Sequence, residues 1–299
     1  MTNPKASPSR ITYLSRLGEE PTGHPLLTSY TTHCRAAGMR PATIRLRLVW
    51  LRRAATELDL VKATPNDLLM WLGDHDWQPE TRRSARSALK SFYGWAVDNE
   101  IRPDNPAARL PSVRVPLGVP RPAPTEVLQR ALSVATDRDR LMIALAAFAG
   151  LRRTEIAGLP WSSMRWPGLY VIGKGGRART VPLLPRLATL MAEEANRRDG
   201  GEVGTGFRYE VDARSPYVFP SHISGHMHPD TVGPILSAAL GPNWTGHNLR
   251  HRFATLAYEV DRDLLTVQQL LGHSKPETTA RYTAIPHGAA VAAVAGVAA

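Results

Sequence analysis

This chain has few lysines, one cysteine and no long apolar run. The shortage of cysteine and of apolar runs excludes particular kinds of site and segment. Only five of the 37 basic residues are lysines, which leaves 32 arginines. The single cysteine, Cys34, allows neither an internal disulfide nor a cysteine-based zinc site. No apolar run approaches the ~20 residues that span a bilayer, and the N-terminus lacks the apolar core of a signal peptide. We therefore expect a protein of the cytoplasm with no membrane partner.

Positive charge is what the sequence has in excess. With 37 basic and 26 acidic residues among 299, the formal net charge is +11. Arginine is always charged and its planar fork pairs with phosphate oxygens, so this balance favours a polyanionic partner such as nucleic acid. A GC-rich genome would also raise arginine over lysine, and that explanation stays open. Hydrophobic residues at 43% and charged residues at 21% are values typical of globular proteins.

We expect two domains joined by a proline-rich linker. Helical spacing of apolar residues predicts four helices in the first domain, at about 25–38, 41–58, 67–72 and 79–99. The linker contains five prolines and has no helical period, which indicates an extended segment. Such a segment could join the two halves of a clamp. The predicted bounds are 1–21 for a flexible lead-in, 22–110 for the helical domain, 111–124 for the linker, 125–287 for the second domain and 288–299 for an Ala/Val-rich tail.

The second domain is predicted to be mainly helical with one β-hairpin. Short β-type runs at Leu169–Gly173 and Thr180–Leu184 flank a turn of glycine, lysine and arginine, the pattern of a hairpin. Helices are predicted at 125–134, 139–149, 153–158, 187–196, 229–239, 247–258 and 263–271. The predicted fold class is therefore mainly α with a small β-hairpin or sheet, an α+β domain following a helical one.

Two short segments of the second domain offer cations to a phosphate. In Gly150-Leu151-Arg152-Arg153-Thr154-Glu155 the glycine breaks one helix, so Arg152 projects from the start of the next, where free N–H groups also attract anions. Lys174 lies in a Gly-Lys-Gly-Gly turn at the tip of the predicted hairpin. An ammonium can release a proton when its pKa is lowered, whereas a guanidinium cannot, so a general acid here would have to be lysine.

Two further segments combine histidines with an arginine and a tyrosine. His247 and Arg250 are three residues apart on a predicted helix, so one face presents an imidazole and a guanidinium together. Farther on, Gly272 indicates a helix stop, His273 follows it, and Tyr282 lies in the next predicted helix. A phenol is a poor nucleophile unless cations stabilise the phenolate, and these segments supply such cations.

Together these segments resemble the tyrosine recombinase, or phage integrase, family. That family carries an arginine in a GLR-x-x-E segment, a lysine on a β-hairpin, H-x-x-R, a histidine or tryptophan in an LGH-like turn, and a nucleophilic tyrosine soon afterwards. The corresponding residues follow in the family's order: Arg152 with Glu155, Lys174, His247 with Arg250, His273 and Tyr282. The resemblance covers about residues 20–285, since the basic helical domain is similar to the family's core-binding domain. The Ala/Val-rich tail departs from the family pattern.

The resemblance implies that Tyr282 attacks a DNA phosphodiester, forms a 3′-phosphotyrosine and releases a 5′-hydroxyl, which a strand of a second duplex then replaces. It assigns clamping of the scissile phosphate to Arg152 and Arg250, removal of the tyrosine proton to His247, protonation of the leaving oxygen to Lys174, a hydrogen bond to the phosphate to His273, and orientation of the site to Glu155. One phosphodiester replaces another, so no cofactor, neither ATP nor Mg²⁺, is expected.

The partner that the resemblance implies is double-stranded DNA with a specific core site. A homotetramer would hold paired sites and integrate or excise a phage or mobile element in a bacterial host. An accessory directionality factor could assist it. Basic side chains predicted to contact the duplex are Arg45, Arg47, Arg82, Arg86, Lys90, Arg177 and Arg179.

The sequence also leaves other functions open. An Xer-type chromosome-dimer resolvase shares every motif above, and a type IB topoisomerase-like nickase shares the tyrosine chemistry. A non-catalytic DNA-binding regulator would carry a broken catalytic set, which this chain does not have. A metal site at His222, His226 and His228 lacks a supporting carboxylate or cysteine pattern, so no metal is expected.

Overall fold

The computed structural model describes residues 24–116, 118–173, 176–199, 215–221, 225–273 and residue 279. The chain divides into two compact units, Met1–Pro116 and Leu117–Ala299. This division falls inside the proline-rich segment 111–124. Each unit has its own apolar core.

Four helices form the described part of the first unit. They are α1 (Pro25–Ala36), α2 (Pro41–Ala55), α3 (Pro65–Gly73) and α4 (Pro79–Asp98). Each helix has a proline in its first turn, where the missing N–H costs no intrahelical bond. Helices α2 and α4 contact each other, and Leu51 of α2 belongs to the same buried core as Leu89 and Phe92 of α4. The four helices predicted from apolar spacing are thus present, with ends displaced by a few residues.

The second unit is built around a buried helix. Its described helices are α5 (Thr125–Val134), α6 (Asp137–Phe148), α7 (Arg153–Ala157), α8 (Pro185–Asp199), α9 (Pro229–Leu240), α10 (Gly246–Asp261) and α11 (Leu264–Leu271), with a 3₁₀ turn at Trp161–Ser163. Every residue from Leu141 to Ala147 in α6 is buried, as expected because this part of the helix is apolar on all sides. Five helices, α5, α7, α8, α9 and α10, contact α6.

A small antiparallel sheet carries the predicted hairpin. Its strands are β1 (Met164–Arg165), β2 (Gly168–Ile172) and β3 (Ala178–Pro182), in the order β1-β2-β3. Val171 pairs with Arg179 in the register of β2 and β3. A second pair, β4 (Pro220–Ser221) with β5 (Gly225–His226), was not predicted, because two-residue strands have no periodicity. The fold is mainly α with small sheets, as predicted. In the described ranges no helix is long and apolar enough to cross a bilayer.

Candidate active site

A glycine turn places Arg152 at the start of α7. Gly150 has φ of +61°, a conformation that favours glycine, and a Cβ there would lie 2.6 Å from the ring of Phe253. The turn ends α6 and makes Arg152 the residue before α7. The Arg152 side chain is 31% exposed, and its Nη1 donates to Glu155 Oε1 at 2.8 Å. Its outer edge therefore stays accessible to an anion.

Glu155 is the buried carboxylate at the centre of the site. It accepts two bonds from Arg152, from the backbone N–H at 2.8 Å and from Nη1, and two from Arg179, at 2.9 and 2.8 Å. The side chains of Glu155 and Arg179 are 3% and 5% exposed. Burial raises the pKa of Glu155, but the bonds and charges of Arg179 and Arg152 outweigh it and lower the pKa to about 2. Glu155 is therefore ionised at neutral pH.

Arg250 joins three segments that are distant in sequence. The residue lies on α10, and its side chain is almost completely buried. Nη1 donates to the carbonyl of Gly150 and lies 4.0 Å from Glu155 Oε2, while Nη2 donates to the carbonyl of Leu271. One guanidinium thus ties the turn before α7 to the end of α11. Three arginines face one carboxylate, which leaves the site with an excess of positive charge.

His273 is neutral and its tautomer follows from its partners. Gly272 ends α11 with φ of +60°, and His273 follows it. Because a guanidinium only donates, the His273 Nε2 that lies 3.2 Å from Arg250 Nη2 accepts, and Nδ1 carries the hydrogen toward Thr279 Oγ1 at 2.9 Å. Burial, followed by the charges of Arg250 and Arg152, lowers the pKa of His273 to about 3.

His247 lies in the first turn of α10 and contacts a second histidine. Its Nε2 is 2.9 Å from Nε2 of His251, one helical turn later. A positive charge on His247 would lower the pKa of His273, so the two imidazoles act on each other electrostatically. The described residues thus bring together Arg152, Glu155, Arg250 and His273, with His247 beside them.

Two residues of the predicted catalytic set, Lys174 and Tyr282, lie outside the described residues. Strands β2 and β3 flank the lysine, and the hairpin closes with a bond from the Gly173 N–H to the Arg177 carbonyl at 2.7 Å. The assignment of general acid to Lys174 and of nucleophile to Tyr282 stays a prediction.

Most basic side chains predicted to contact DNA in the first unit also make internal bonds. Arg82 donates to the carbonyls of Leu72 and His75, Arg86 to that of Leu110, and Lys90 to that of Ala108. Arg47 donates to Tyr30 Oη at 3.3 Å and to Met39 Sδ at 2.8 Å. Arg45, by contrast, is exposed on α2. These side chains hold loops and helices in place, and their contact with DNA stays a prediction.

The two arginines predicted to contact DNA from the hairpin differ in burial. Arg177 is exposed, whereas Arg179 is buried in its ion pair with Glu155. Sequence reasoning missed this internal role, although a signal was present. Side chains alternate along a strand, so a residue two positions before the inward Val181 also points inward.

The histidines of the alternative metal site have other partners. His226 Nδ1 lies 2.8 Å from the Met227 carbonyl, and His228 Nδ1 accepts from the Asp230 N–H at the start of α9. His222 lies outside the described residues. Among the residues that the structure describes, no group of three His, Cys, Asp or Glu side chains is placed to hold a metal ion.

Comparison with known proteins gives matches over most of the chain. Residues 124–287 match the phage integrase family. The tyrosine recombinase XerC of Myxococcus xanthus is 30% identical over 285 residues, covering 87% of this chain and 93% of the relative. The tyrosine recombinase XerD of Vibrio cholerae is 30% identical over 256 residues, covering 79% of this chain and 81% of the relative.

Solved structures share the fold. A lambda integrase dimer bound to a COC′ core site matches with a TM-score of 0.66 at 18% identity, covering 87% of this chain and 94% of that one. A lambda integrase tetramer bound to a Holliday junction matches with a TM-score of 0.65 at 18% identity, covering 92% and 83%. At these identities the likeness establishes the fold alone.

Proposed function

The chain belongs to the phage integrase family of tyrosine recombinases, and on that premise we propose that Tyr282 cuts DNA by forming a 3′-phosphotyrosine. The chain is a site-specific DNA recombinase, an enzyme that cuts and rejoins DNA strands. Because a covalent link to the enzyme conserves the energy of the broken phosphodiester, the reaction is proposed to need no cofactor.

The observation that carries the proposal is the charge around Glu155. Three guanidiniums, those of Arg152, Arg179 and Arg250, lie within 4.0 Å of this one carboxylate. The carboxylate neutralises one of the three charges, so two remain in a partly buried site. A scissile phosphate gains negative charge as the phenolate attacks, and fixed donors placed before the reaction stabilise that charge without reorganising.

The two clamping arginines are proposed to act differently. Arg152, at 31% exposure, can meet a phosphate oxygen directly while Glu155 holds its inner edge. Arg250 is 2% exposed and bonds two carbonyls, so we propose that it meets a phosphate oxygen only after a local rearrangement exposes one of its N–H groups as DNA binds. In the absence of DNA, Arg250 serves to hold the turn of Arg152 against α11.

Integration or excision of a phage or other mobile element is our first proposal for the biological role. The substrate would be a specific core site, paired with a second site in a homotetramer, with an accessory directionality factor as a further partner. We place the reaction in the cytoplasm of a bacterial host. Chromosome-dimer resolution is the second candidate, favoured by the match at 30% identity to XerC over 93% of that relative.

Mapping the cut sites tests both the reaction and the role. Purified protein is incubated with sheared host DNA, the reaction is stopped with detergent, and DNA bound covalently to protein is sequenced. We expect adducts at one or two discrete sequences with the parent chain, and none with Tyr282→Phe. Two sites at the borders of a mobile element support integration, whereas one site near the replication terminus supports dimer resolution. If the parent chain forms no adduct, the proposed reaction is wrong.

A further inference from the structure

The ring of His251 contacts a second histidine and the backbone of a distant segment. His251 follows His247 by one turn on the same face of α10. Its Nε2 lies 2.9 Å from Nε2 of His247. Its Nδ1 accepts a hydrogen bond from the backbone N–H of Arg121 at 3.1 Å. Both ring nitrogens of His251 are therefore engaged.

The segment that supplies this N–H is fastened to α10. Asn248 Nδ2 donates to the Arg121 carbonyl at 2.8 Å, and the Asn248 carbonyl accepts from the Ala123 N–H at 3.1 Å. The Arg121 guanidinium lies over the Trp244 ring, 4.3 Å from its centroid. Arg252, also on α10, donates to the Ala123 carbonyl at 3.1 Å. The Arg121 N–H is thus fixed relative to the His251 ring.

These contacts determine which ring nitrogens carry hydrogen. A backbone N–H can only donate, so Nδ1 of His251 has no hydrogen, and this neutral ring carries its hydrogen on Nε2. That hydrogen is donated to Nε2 of His247, because two lone pairs cannot form a hydrogen bond with each other. Nε2 of His247 is therefore an acceptor, and the His247 ring carries its hydrogen on Nδ1.

We propose that His251 is a positioning residue that fixes the orientation and tautomer of His247. The inference rests on the proposed function, in which His247 serves the reacting groups. Held in this way, His247 offers an N–H at Nδ1 while its basic lone pair is occupied, so it begins the reaction as a hydrogen-bond donor. His247 must release His251 before it can take the tyrosine proton, the role that the resemblance implies, but without His251 its ring has no fixed orientation from which to start, so loss of the contact is expected to slow cleavage.

Two amide substitutions separate the two contacts of His251. In His251→Gln the terminal amide reaches the place of Nε2 and donates to His247, whereas in His251→Asn the shorter amide serves only Arg121. His251→Phe keeps a ring and removes both contacts. On a nicked suicide duplex carrying the mapped site, we expect the Gln variant to cleave within about threefold of the parent, and the Asn and Phe variants about 10–100-fold more slowly, with equal DNA affinity.

The relative cleavage rates of the three variants test the positioning role of His251. Thermal unfolding establishes that each variant is folded before its cleavage rate is compared. A Phe variant that cleaves at the rate of the parent would overturn the positioning role. An Asn variant faster than the Gln variant would also overturn it, since His251 would then act through Arg121 alone.

The tautomer can also be measured in the protein without DNA, so that it is tested independently of catalysis. Long-range ¹⁵N–¹H NMR spectra distinguish rings protonated at Nδ1 from rings protonated at Nε2, and His247→Gln identifies the His247 signals. We expect the Nδ1–H form in the parent and a shift toward the Nε2–H form in His251→Phe. An Nε2–H ring of His247 in the parent contradicts the inference. A parent chain that forms no covalent adduct contradicts the proposed function instead.

Discussion

At the residue scale, the two arginines proposed to clamp the phosphate, Arg152 and Arg250, differ in how deeply their side chains are buried. Arg152 was expected to project from a helix start, and it does so at 31% exposure. Arg250 looked equivalent in the sequence, yet its side chain is 2% exposed. Its burial depends on the carbonyls of Gly150 and Leu271, which lie 100 and 21 residues away. Such contacts exist only in the folded chain, so spacing could not predict them.

Arg152→Lys is expected to slow cleavage strongly. Lysine keeps the positive charge but loses the planar fork that bonds Glu155 on one side and that we propose bonds the scissile phosphate on the other. We expect a fall of about 10²–10³-fold in the single-turnover cleavage rate, with little change in DNA affinity. The matched control is Arg153→Lys, because Arg153 is 57% exposed and pairs with Asp230 at the surface. Equal rates for the two variants would argue against the clamp.

The pKa of His273 predicts a loss of stability in mild acid. The pKa is about 3 in the folded chain and 6.5 when the ring is unfolded, so below pH 6.5 the unfolded state binds the extra proton. The stability that the neutral ring contributes is complete above pH 6.5 and decreases as the pH falls toward 3. Glu155, whose pKa drops from 4.5 to about 2, adds its own loss only below pH 4.5.

Urea unfolding of the parent and of His273→Asn at pH 7.5 and 5.5 measures this loss. Asparagine does not titrate in this range, so the parent should lose about 1 kcal/mol more than the variant between the two pH values. The comparison isolates the contribution of His273, because the two proteins differ at no other position. Parallel losses in the two proteins would contradict the pKa assigned to His273.

At the element scale, helices and strands with a repeating apolar pattern were predictable from the sequence, whereas the two-residue strands were not. The four helices in the described part of the first unit and the β2–β3 hairpin follow from apolar spacing and turn residues. Two-residue strands such as β1 have no period, and pairing with a neighbouring strand alone defines them. Arg179 was predicted as a DNA contact because the predicted strand began one residue too late to include it.

Arg179→Met is expected to destabilise the second unit. The substitution leaves the buried carboxylate of Glu155 without two of its hydrogen bonds, and breaking a buried ion pair costs about 3–5 kcal/mol. Arg177→Met, two residues earlier and exposed, provides the control and should change stability by less than about 0.5 kcal/mol. The free energies of unfolding in urea give the comparison. An equal small effect for both would mean that the pair contributes little.

At the scale of the whole molecule, the basic side chains that give the net charge of +11 include some that bond within the protein and some that are exposed at its surface. Several arginines that the sequence places on a basic surface also bond backbone carbonyls, as Arg82 and Arg86 do. Composition could not separate these two groups, because a guanidinium that holds a loop and one that meets a phosphate are the same residue type. The excess over acidic residues nevertheless favours a DNA partner.

The salt dependence of DNA binding distinguishes arginines that contact phosphates from arginines that only hold the protein together. Arg45→Ala removes an exposed charge, so we expect the slope of log K against log salt to shrink by about 0.9 with no change in melting temperature. Arg86→Ala removes two bonds to the Leu110 carbonyl and should lower the melting temperature as well. If Arg45→Ala leaves the slope unchanged, that residue does not contact a phosphate.

Mass spectrometry of the covalent intermediate shows whether Tyr282 is the residue that carries the DNA. The adduct formed on a suicide duplex is digested with nuclease and trypsin, and the peptide bearing the nucleotide is identified by mass spectrometry. Trypsin cuts after Arg281, so we expect a modified peptide that begins at Tyr282, with the mass of a 3′-linked nucleotide on that tyrosine. A nucleotide on any other residue, or an adduct of undiminished yield in Tyr282→Phe, would contradict this expectation.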